Sequence, residues 1–575
     1  MTDSLVIALG QHSEAGRKPS NQDFHGALIP VGAPLALKGV AVALADGISS
    51  SPVSHVAAQA AVKSFLTDYY CTSDAWSVRT AASRVLSSVN SWLHAETRRS
   101  HRAHDLDQGY VCTFAALVLK ARRAHLFHVG DTRIWRVGQG GLEQLTQDHR
   151  VVLSSQENYL GRALGMAANV EIDYRAMDVA VGDTFILSTD GVHEYLRPDE
   201  MVRLLGAGLD LDGAARTMVA AALEQGSDDN LSIQIVRIDG LPAADPEAVL
   251  GEADMLPPPP LPGPRGEVDG YRVIRTLHAN SRSHVYLAEP PGGGPAVVVK
   301  VPSMDLRGDQ AYLRRFLMEE WIARRIDSAH VLKAAPAPVR RRSLYTVSEY
   351  VDGQSLRQWM IDHPHPGLDE VRGLMEQLEK GLRAFHRKEM LHQDLRPENV
   401  LIDRAGTAKI IDFGSTRVAG LDEAQILGAD HAILGTQQYT APEYFLGLPG
   451  TPCSDLFSLG VIAYEMLSGG RLPYGAEVSR AQTKKAQAKL RYRRGGTDNR
   501  PLADWVDAAL RKAVHPDPAQ RYQMLSEFTS DLRRPSPDFD PHARPSLMER
   551  DPLVFWKSLS AILALAVLIL LLGKF

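Results

Sequence analysis

A proline-rich segment near the middle of the chain limits how the rest of the sequence can fold. Eight prolines lie between Leu241 and Val268, including the run PPPPLPGP. Proline has no backbone N–H and a fixed φ, so this segment favours extended polyproline II over a helix or a central strand. The chain has 575 residues, which is too many for one hydrophobic core. We therefore predict two folded blocks joined by a semi-rigid linker over 241–268; a ligand for a proline-binding domain is the less common alternative.

Charge and cysteine content exclude several classes of protein. The formal net charge is −5, which gives no reason to expect a nucleic-acid partner. The three cysteines, Cys71, Cys112 and Cys453, are far apart and form no C-x-x-C pair, so neither a disulfide framework nor a zinc site is indicated. The N-terminal residues lack the basic and apolar regions of a signal peptide. We expect the body of the chain to be cytosolic.

The C-terminal segment differs from the rest of the sequence. Residues 553–573 contain the uncharged run SLSAILALAVLILLLG and amount to about 20 residues, or roughly 30 Å of helix. Five basic residues lie between Arg533 and Lys557, and only Lys574 follows the segment. By the positive-inside rule we predict a transmembrane helix over 553–573 with the N-terminal body in the cytoplasm. A buried C-terminal helix is the alternative.

In the first block, short apolar runs of strand character alternate with helical runs such as HVAAQAAVKSFLTDYY. Several of the strand-like runs end in turns that contain aspartate. A single D-G pair indicates only a turn. A carboxylate at the end of a buried strand, however, is held rigidly at the rim of a sheet, where a hard cation needs oxygen ligands. The aspartates concerned are Asp46, Asp131, Asp190 and Asp229, with Asp23 in SNQD as a fifth.

Eight segments of this block follow one another in a fixed order: RKPSNQD, ADG, CTFAALVL, VGDTRIW, LTQDHR, LGRALG, GDTFILSTDG and DDNLSIQIV. In this order they resemble the metal-dependent protein phosphatases of the type 2C family. The resemblance covers nearly the whole block and implies a β-sandwich flanked by helices over 1–240. It also implies hydrolysis of phosphoserine and phosphothreonine by a water that bridges two divalent ions, Mg²⁺ or Mn²⁺.

The resemblance implies a role for each residue of the expected metal site. Asp46 would bridge the two ions. The Gly47 carbonyl would bind one ion, and Asp190 and Asp229 would bind the other.

Two further carboxylates and a cation complete the expected site. Asp131, together with Asp190, resembles the site of a weaker third ion, and Asp23 would act mostly through coordinated water. Arg17 is the residue we expect to bind the incoming phosphate, because its planar fork can grip two oxygens. Lys18 is close enough to compete for that role.

The sequence departs from the family pattern after the first metal-binding motif. The family continues DG-x-GG, whereas here Ile48, Ser49 and Ser50 follow Gly47. We therefore expect the next helix to start differently. His55 is not at a catalytic position of the family, and we interpret it as an ordinary helix residue. The alternative for the block is a folded but inactive relative.

The second block carries six segments in a fixed order: AVVVKV, RRFLMEEWIARRI, LHQDLRPENVLI, KIIDFGS, YTAPE and SDLFSLGVIAYEMLSGG. They resemble the signature set of protein kinases, and in particular the eukaryotic-like Ser/Thr kinases of bacteria. The resemblance implies a bilobal protein kinase fold over 269–535 that uses ATP and Mg²⁺.

Spacing within these segments matches that of working kinases. Lys300 and Glu319 are 19 residues apart, and Asp394 precedes Asn399 by 5 residues and Asp412 by 18. The resemblance implies that Lys300 holds the α- and β-phosphates and pairs with Glu319. Asp394 would orient the substrate hydroxyl and accept its proton, and Asn399 and Asp412 would bind Mg²⁺.

Other positions of the kinase pattern are less regular. Arg396 stands where Ser/Thr kinases usually have lysine near the transferred phosphate, which keeps the charge but changes the geometry. Leu277 and Val285 would line the nucleotide pocket. Glu320 is the neighbour that we reject as the partner of Lys300, because that choice places polar residues where apolar ones should pack.

The glycine-rich loop of kinases is absent. Its pattern, L-G-x-G-x-x-G-x-V, is replaced by LHANSRSHV at Leu277–Val285. Glycine lets backbone N–H groups approach phosphate, so we expect weaker ATP binding; Asn280 tolerates φ > 0, and Arg282 offers a positive charge. Gln393 replaces the arginine that normally pairs with an activation-segment phosphate, so activity is not expected to require that phosphate.

We predict an α+β multidomain protein that acts as a protein Ser/Thr kinase and a phosphoserine/phosphothreonine phosphatase in bacterial signalling. A juxtamembrane segment over 536–552 would lead to the membrane helix, giving a single-pass protein of the inner membrane with cytoplasmic catalytic domains. Its partners would be protein substrates, including its own chain. The alternatives are an active phosphatase with a nucleotide-binding pseudokinase scaffold, and a scaffold that is inert in both halves.

Overall fold

The computed structural model of the chain describes most of its length. The described residues are 4–100, 108–138, 141–154, 157–242, 256–263, 265–280, 282–306, 309–336, 341–423, 438–497, 500–537, 539 and 554–563. The chain divides into two compact units, Met1–Arg357 with Lys380–Thr436, and Gln358–Glu379 with Gln437–Phe575.

The first block is a mixture of strands and helices. Its strands are β1 (Val6–Glu14), β2 (Phe24–Leu28), β3 (Val40–Ala45), β4 (Phe114–Lys120), β5 (Arg123–Val129), β6 (Arg133–Gly138), β7 (Gly141–Gln144), β8 (Arg150–Ser154), β9 (Glu157–Leu160), β10 (Asp173–Asp178), β11 (Thr184–Ser188) and β12 (Leu231–Gly240). Its helices are α1 (Ala33–Lys38), α2 (Ser54–Cys71), α3 (Val78–Arg99), α4 (Asp190–His193), α5 (Pro198–Leu205) and α6 (Leu211–Glu224).

These strands form two antiparallel five-stranded sheets, ordered β1-β12-β11-β6-β7 and β10-β5-β4-β3-β2, while β8 and β9 form a separate hairpin. Alternation along a strand sends neighbouring side chains to opposite faces. The even-numbered residues of β3 pack between the sheets with Phe185 and Val236. The odd-numbered alanines of β3 pack against α2 and α3, and α6 covers the other sheet. The expected β-sandwich flanked by helices is therefore confirmed.

The second block begins with a five-stranded antiparallel sheet in the order β13-β14-β15-β16-β17. The strands of this block are β13 (Glu267–Val268), β14 (Tyr271–Ala279), β15 (Ser283–Glu289), β16 (Val297–Pro302), β17 (Thr346–Glu349), β18 (Gly353–Ser355), β19 (Met390–Leu391), β20 (Val400–Asp403), β21 (Ala408–Ile410), β22 (Arg417–Val418), β23 (Gly496–Thr497) and β24 (Arg500–Pro501). Its helices are α7 (Gln310–Ala323), α8 (Leu356–Asp362), α9 (Leu368–His386), α10 (Ala419–Glu423), α11 (Pro452–Leu467), α12 (Lys484–Gln487), α13 (Asp504–Ala513) and α14 (Leu525–Arg533). Short 3-10 helices lie at Met304–Leu306, Pro397–Asn399, Pro442–Leu446, Val478–Arg480 and Pro518–Gln520.

Helix α11 forms the core of the second compact unit. It starts with a capping box between Thr451 and Ser454, with proline at its first turn, which satisfies N–H groups that have no partner within the helix. Its residues are buried from Cys453 to Met466. A helix that is buried on all sides has apolar residues on every face, which explains the apolar composition of the sequence SLGVIAYEML.

The C-terminal segment is only partly described. It is helical over 554–563, and the remainder of the predicted membrane helix, 564–573, lies outside the described residues, as does Leu553. Within the part of the chain that the structure describes, no helix has both the length and the apolar character needed to cross a bilayer.

Candidate active sites

The first site lies where strands of the two sheets end. Asp46 follows β3, Asp131 follows β5, and Asp190 follows β11 and opens α4. Asp23 and Asp229 lie just before β2 and β12. Burial raises the pKa of Asp46 well above its ordinary value, and the charges of the other four carboxylates raise it further. The fold therefore brings together all five aspartates that the sequence singled out.

The buried oxygens of this cluster fit divalent cations. Burial raises the pKa of Asp23 to about 6 and that of Asp190 to about 7. Thr189 Oγ1 donates to Asp23 Oδ2 at 3.0 Å. Among the described residues, Asp23 Oδ1 and Asp190 Oδ1 are buried and have no hydrogen-bond partner. Buried acceptors of this kind are costly unless a cation or a donor satisfies them, and oxygen donors suit Mg²⁺ and Mn²⁺.

Position 47 tolerates only glycine. The Gly47 N–H donates to Gln22 O at 3.2 Å. A Cβ at this position would lie 2.8 Å from the backbone of Ser54 and 2.9 Å from Gln22 O. The backbone after Asp46 is thus packed closely against the start of α2. The departure from the family pattern falls here: α2 begins at Ser54 without a side-chain cap, and His55 is exposed.

Arg17 and Lys18 lie in different surroundings. Lys18 Nζ is 3.3 Å from the Asp229 carboxylate and donates to Ser49 Oγ at 3.0 Å. Arg17 is exposed, and its guanidinium has no hydrogen bond or ion pair with any described residue. Lys18 therefore binds the carboxylate cluster, whereas the Arg17 guanidinium is available to bind a substrate phosphate.

Asn230 fixes the loop that carries these two cations. Its Oδ1 accepts from the Gln22 N–H at 2.8 Å, and its Nδ2 donates to Ala15 O and Ser20 O, both at 3.0 Å. Asn230 is buried. Asn230 belongs to the DDNLSIQIV segment, but its role in fixing this loop was not predicted from the residues.

Arg150 is a second residue that the sequence analysis missed. Its Nε lies 2.8 Å from Asp131 Oδ2, its Nη2 lies 3.4 Å from Asp190 Oδ2, and its Nη1 pairs with Glu194. These carboxylates raise the pKa of Arg150 despite its partial burial. A guanidinium thus bridges the two carboxylates to which the resemblance assigned a weaker third ion. Nineteen residues separate Asp131 from Arg150, and no spacing rule links them.

His128, His149 and Asp173 form another group near this site, with candidate ligand atoms within 4.8 Å of one another. His149 Nδ1 accepts from the Gly130 N–H at 3.0 Å, so the neutral ring carries its proton on Nε2, which lies 3.1 Å from Asp173 Oδ2. Arg162 Nη1 also reaches Asp173 Oδ1 at 2.8 Å. These hydrogen bonds use the ligand atoms of His149 and Asp173, so we interpret those two residues as structural, whereas the ring nitrogens of His128 are buried without a hydrogen-bond partner among the described residues.

The second site begins with an ion pair between β16 and α7. Lys300 Nζ lies 2.7 Å from both carboxylate oxygens of Glu319. This pairing raises the pKa of Lys300, although burial opposes it. Glu320 instead pairs with Arg341, whose Nη2 is 2.7 Å from Glu320 Oε1. The structure thus places Glu319, and not its neighbour, against Lys300.

The predicted catalytic and magnesium-binding residues lie on adjoining loops. Asn399 Nδ2 donates to Asp394 O at 2.9 Å and to Asp394 Oδ2 at 3.1 Å. Arg396 Nε is 3.7 Å from the same carboxylate oxygen. The Ile411 N–H donates to Asn399 O at 2.8 Å, which joins the Asn399 loop to the residue before Asp412.

Two residues of these loops have left-handed backbone: Gln393 with φ 65° and Asp412 with φ 66°. Such conformations cost free energy in non-glycine residues and cluster at functional sites. Burial raises the pKa of Asp412, but Lys300 and the Gly414 N–H outweigh it, and the pKa stays below its ordinary value. Phe413 is buried and its ring packs on Phe385 at 5.5 Å. Asp412 is therefore held as a carboxylate.

The loop without glycines forms a closed turn. Asn280 Oδ1 accepts from the N–H groups of Arg282 at 2.9 Å and Ser283 at 2.8 Å. The Arg282 carbonyl accepts from Tyr312 Oη at 2.6 Å and from the Ser303 N–H at 2.7 Å. Asn280 is not in the left-handed region that the sequence analysis considered for it. Its side chain instead occupies amides that a glycine-rich loop offers to phosphate.

The two expected pocket-lining residues flank this turn. Val285 lies on β15 and pairs directly with Lys300 of β16. On β14, Leu277 is half-buried, and its neighbour His278 pairs with Val285. Both residues therefore lie on the sheet that carries Lys300.

Comparison with known families covers both blocks. Residues 11–230 match the family model "Protein phosphatase 2C", and residues 271–548 match the model "Protein kinase domain". The chain fuses a protein phosphatase 2C domain to a Ser/Thr protein kinase domain. Phosphatases of this type use Mn²⁺ or Mg²⁺, and protein kinases use ATP with Mg²⁺.

Individual relatives match one domain at a time. The serine/threonine-protein kinase PrkC of Bacillus subtilis is 28% identical over 265 residues, which cover 46% of this chain and 40% of PrkC. A serine/threonine phosphatase structure from S. agalactiae is 22% identical, covers 40% of this chain and 100% of that chain, and has a TM-score of 0.36. The catalytic domain of the phosphatase PstP, in complex with two manganese ions, is 19% identical, covers 41% and 100%, and has a TM-score of 0.35. The chain thus spans less than half the length of the curated kinase it matches.

Proposed function

We propose that the chain is a bifunctional enzyme of bacterial signalling that phosphorylates proteins on Ser or Thr and also hydrolyses phosphoserine and phosphothreonine. The phosphatase proposal depends on the cluster of five aspartates at the strand ends, two of which present buried oxygens without a hydrogen-bond partner among the described residues. The kinase proposal depends on the pair between Lys300 and Glu319 at 2.7 Å.

In the phosphatase domain, bound Mg²⁺ or Mn²⁺ ions would supply a hydroxide nucleophile and neutralise phosphoryl oxygens. Asp46, the Gly47 carbonyl, Asp190 and Asp229 are the residues proposed to hold them. Arg17 would bind the substrate phosphate from the loop that Asn230 fixes.

In the kinase domain, chemistry depends on positioning and charge neutralisation. Lys300 would hold the α- and β-phosphates, and Glu319 keeps its ammonium in place. Asp394 would orient the substrate hydroxyl and accept its proton, while the hydrogen bond from Asn399 holds its carboxylate. Asn399 and Asp412 would hold Mg²⁺, which neutralises the phosphate charge.

Each activity has its own inactive control in the full chain. Incubation with labelled ATP and Mg²⁺ should label protein in the wild type and not in Asp394→Asn. Manganese-dependent cleavage of p-nitrophenyl phosphate should occur in the wild type and be lost in Asp46→Asn. Equal labelling of the wild type and Asp394→Asn would contradict the kinase proposal, and equal cleavage by the wild type and Asp46→Asn would contradict the phosphatase proposal.

A second candidate is an active phosphatase with a nucleotide-binding pseudokinase scaffold. It is favoured by Asn280, which occupies two amides of the phosphate-binding loop. Binding of ATP without any Asp394-dependent transfer would support this candidate.

The C-terminal segment is proposed to anchor the chain in the inner membrane as a single span, with both catalytic domains in the cytoplasm. The support is the uncharged run within 553–573 and the basic residues before it. In cell fractionation, the full chain should sediment with membranes and a chain truncated after Asp551 should not. Equal sedimentation of the two would contradict the anchor.

The chain itself is a proposed substrate, because a tethered domain meets its neighbour at high effective concentration. The phosphatase would then remove phosphates that the kinase adds. Asp46→Asn should therefore accumulate more phosphate on the chain than the wild type, as measured by mass spectrometry. Equal phosphate levels would argue against this role.

A further inference from the structure

We infer that the phosphatase domain docks on the kinase domain and holds its catalytic elements in place, an inference that rests on the kinase activity proposed above. Both surfaces belong to the first compact unit. The phosphatase docking face comprises Asp74–Thr80 and Lys120. The kinase docking face comprises Arg325, Arg387–Glu389 and Gly420–Glu423.

The N-terminus of α3 receives two carboxylates from the kinase docking face. Glu389 accepts from the Ser77 N–H at 2.7 Å, from the Ser77 hydroxyl at 2.9 Å and from the Thr80 hydroxyl at 2.7 Å. Glu423 accepts from the Val78 N–H at 2.8 Å. The first turn of α3 contains no acidic residue of its own. Since free N–H groups and the helix dipole favour negative charge there, the kinase domain supplies the charge that this helix lacks.

Lys120 provides the second contact. Its side chain is 1% exposed, and Nζ donates to Gly420 O at 2.7 Å and lies 3.3 Å from Glu423 Oε2. Burial lowers the pKa of Lys120, and Glu423 opposes this effect. A buried ammonium is costly unless it is paired and hydrogen-bonded. Lys120 is therefore accommodated at this position by groups of the kinase domain.

Gly420 shows how closely the two backbones approach. Its N–H donates to Ala75 O at 3.0 Å. A Cβ at position 420 would lie 2.5 Å from Asp74 O and 2.8 Å from Trp76 O. The φ of Gly420 is outside the left-handed region, so contact with the phosphatase domain, and not backbone strain, excludes a side chain.

Two further contacts reach other parts of the kinase domain. Arg325, just beyond α7, lies 3.3 Å from Asp74 Oδ2 and stacks on Trp321 at 3.7 Å. Trp76 Nε1 donates to Arg387 O at 2.9 Å. The docking therefore includes Arg325, two residues after the helix that carries Glu319.

The contacted segments are those that determine whether a kinase active site is assembled. Glu389 directly precedes β19, which pairs with β22 and leads to Asp394. Residues Gly420–Glu423 follow Asp412 at the start of the activation segment. Gln393 occupies the position of the arginine that, in other kinases, would pair with a phosphate on that segment. The phosphatase domain thus supplies contacts that hold Gly420–Glu423, the described docking-face residues of this segment, in place of such a phosphate.

Two glycine substitutions in the full chain test this inference. Gly420→Ala inserts a methyl group between the two domains, whereas Gly373→Ala, in α9, has nothing within 4 Å of its Cβ. We expect Gly420→Ala to lower the rate of Asp394-dependent phosphate transfer at least tenfold and to speed hydrogen exchange of the Ser77 and Val78 amides. Gly373→Ala should do neither. Cleavage of p-nitrophenyl phosphate should be unchanged in both, which shows that the phosphatase domain remains folded.

A charge test provides a second variant. Lys120→Met leaves the partly buried Glu423 without its ammonium partner, and Glu423→Gln in the same chain removes the charge while keeping an acceptor for the Val78 N–H. The single variant should lose transfer activity, and the double variant should recover at least part of it. The inference is overturned if Gly420→Ala keeps the transfer rate and the exchange rates of the wild type. It is also overturned if Gly420→Ala is active and the double variant, Lys120→Met with Glu423→Gln, is as inactive as Lys120→Met alone. If the wild type itself transfers no phosphate, the proposed kinase function fails and control of it fails too, whereas the docking is still tested by the exchange rates.

Discussion

At the scale of single residues, Asn280 has the most direct consequence for nucleotide binding. In a glycine-rich loop, backbone amides point at the phosphates of ATP. Here one amide oxygen accepts from two of those N–H groups, at Arg282 and Ser283. The loop therefore offers fewer backbone N–H donors to the phosphates of ATP. Lys300, Asp394 and Asp412 are not affected by this turn.

Asn280→Gly should strengthen ATP binding, because it frees the N–H groups of Arg282 and Ser283. We expect the KM for ATP to fall about threefold to tenfold, or roughly 1 kcal/mol, with little change in kcat. Steady-state kinetics at varied ATP measure this. Thr276→Ala, at an exposed position of β14, leaves the Asn280 side chain and its partners in place and serves as the control. A KM that is unchanged or higher in Asn280→Gly would show that the turn is needed for binding.

Arg17 and Lys18 should have separable effects on the phosphatase. Arg17 has a guanidinium without a partner among the described residues, so Arg17→Ala should raise the KM for a phosphopeptide about tenfold. Lys18 contacts Asp229 and Ser49, so Lys18→Ala should instead change the manganese concentration needed for activity. Titrations of peptide and of Mn²⁺ distinguish the two effects. If Lys18→Ala instead raised the KM for the phosphopeptide and Arg17→Ala did not, Lys18 would be the phosphate ligand.

At the scale of secondary-structure elements, strands and helices bring charged groups into contact with partners far away in the chain. In the second compact unit, Arg521 forms two hydrogen bonds with Glu443, at 2.9 and 2.7 Å, and the side chains are 0% and 4% exposed. Glu443 is in the 3-10 helix that follows YTA, and it also accepts from Ser454 of α11 at 2.6 Å. The pair therefore ties this segment to the core helix.

Arg521→Met should destabilise the second unit by about 3–5 kcal/mol, because it leaves the Glu443 carboxylate buried without its partner. The double variant Arg521→Met, Glu443→Met should lose less, since no uncompensated charge remains. Calorimetry of the full chain measures both. If the double variant is less stable than Arg521→Met, the pair is more than a compensated charge.

His125 of β5 should make the phosphatase domain sensitive to acid. Burial lowers its pKa from 6.5 to about 3, with Lys120 and Arg123 adding to the effect. The folded state thus binds fewer protons than the unfolded state between these values, and its stability falls as the pH drops below about 6.5, by up to about 1.4 kcal/mol per pH unit.

His125→Gln keeps a polar partner for the Tyr174 hydroxyl and removes the titrating group. Between pH 6.5 and 4.5 its unfolding temperature should fall less than that of the wild type. His55→Gln, at an exposed position of α2, is the matched control and should follow the wild type. Parallel pH profiles for all three chains would contradict the prediction.

At the scale of the whole molecule, the two opposed activities proposed for this chain both depend on acidic groups that are unfavourable without a cation. Burial raises the pKa values of Asp23, Asp46 and Asp190, and repulsion from neighbouring carboxylates adds to this effect. The kinase domain instead uses Lys300 to hold Asp412 as a carboxylate. Metal binding is therefore expected to affect the stability of the two compact units differently.

Adding Mn²⁺ to the metal-free chain should stabilise the phosphatase domain by about 2.7 kcal/mol when the free metal is 100 times its dissociation constant. The melting transition of the second compact unit should not move. Asp46→Asn should lose most of the shift, because it removes the ligand proposed to bridge the two ions. An equal shift in Asp46→Asn would contradict the proposed role of Asp46.

From the amino-acid sequence alone we identified two folded blocks, the strand-end aspartates, and the spacing of Lys300, Glu319, Asp394 and Asp412. These features are predictable because alternation, turn residues and motif spacing are local properties of the chain.

Three contacts could be recognised only in the folded chain: Arg150 bridges Asp131 and Asp190, the Asn280 side chain binds its own loop, and Lys120 contacts Glu423, 303 residues away. Such contacts depend on the packing of whole elements against one another. A buried charge can be recognised as tolerable only when the groups that surround it in space are known.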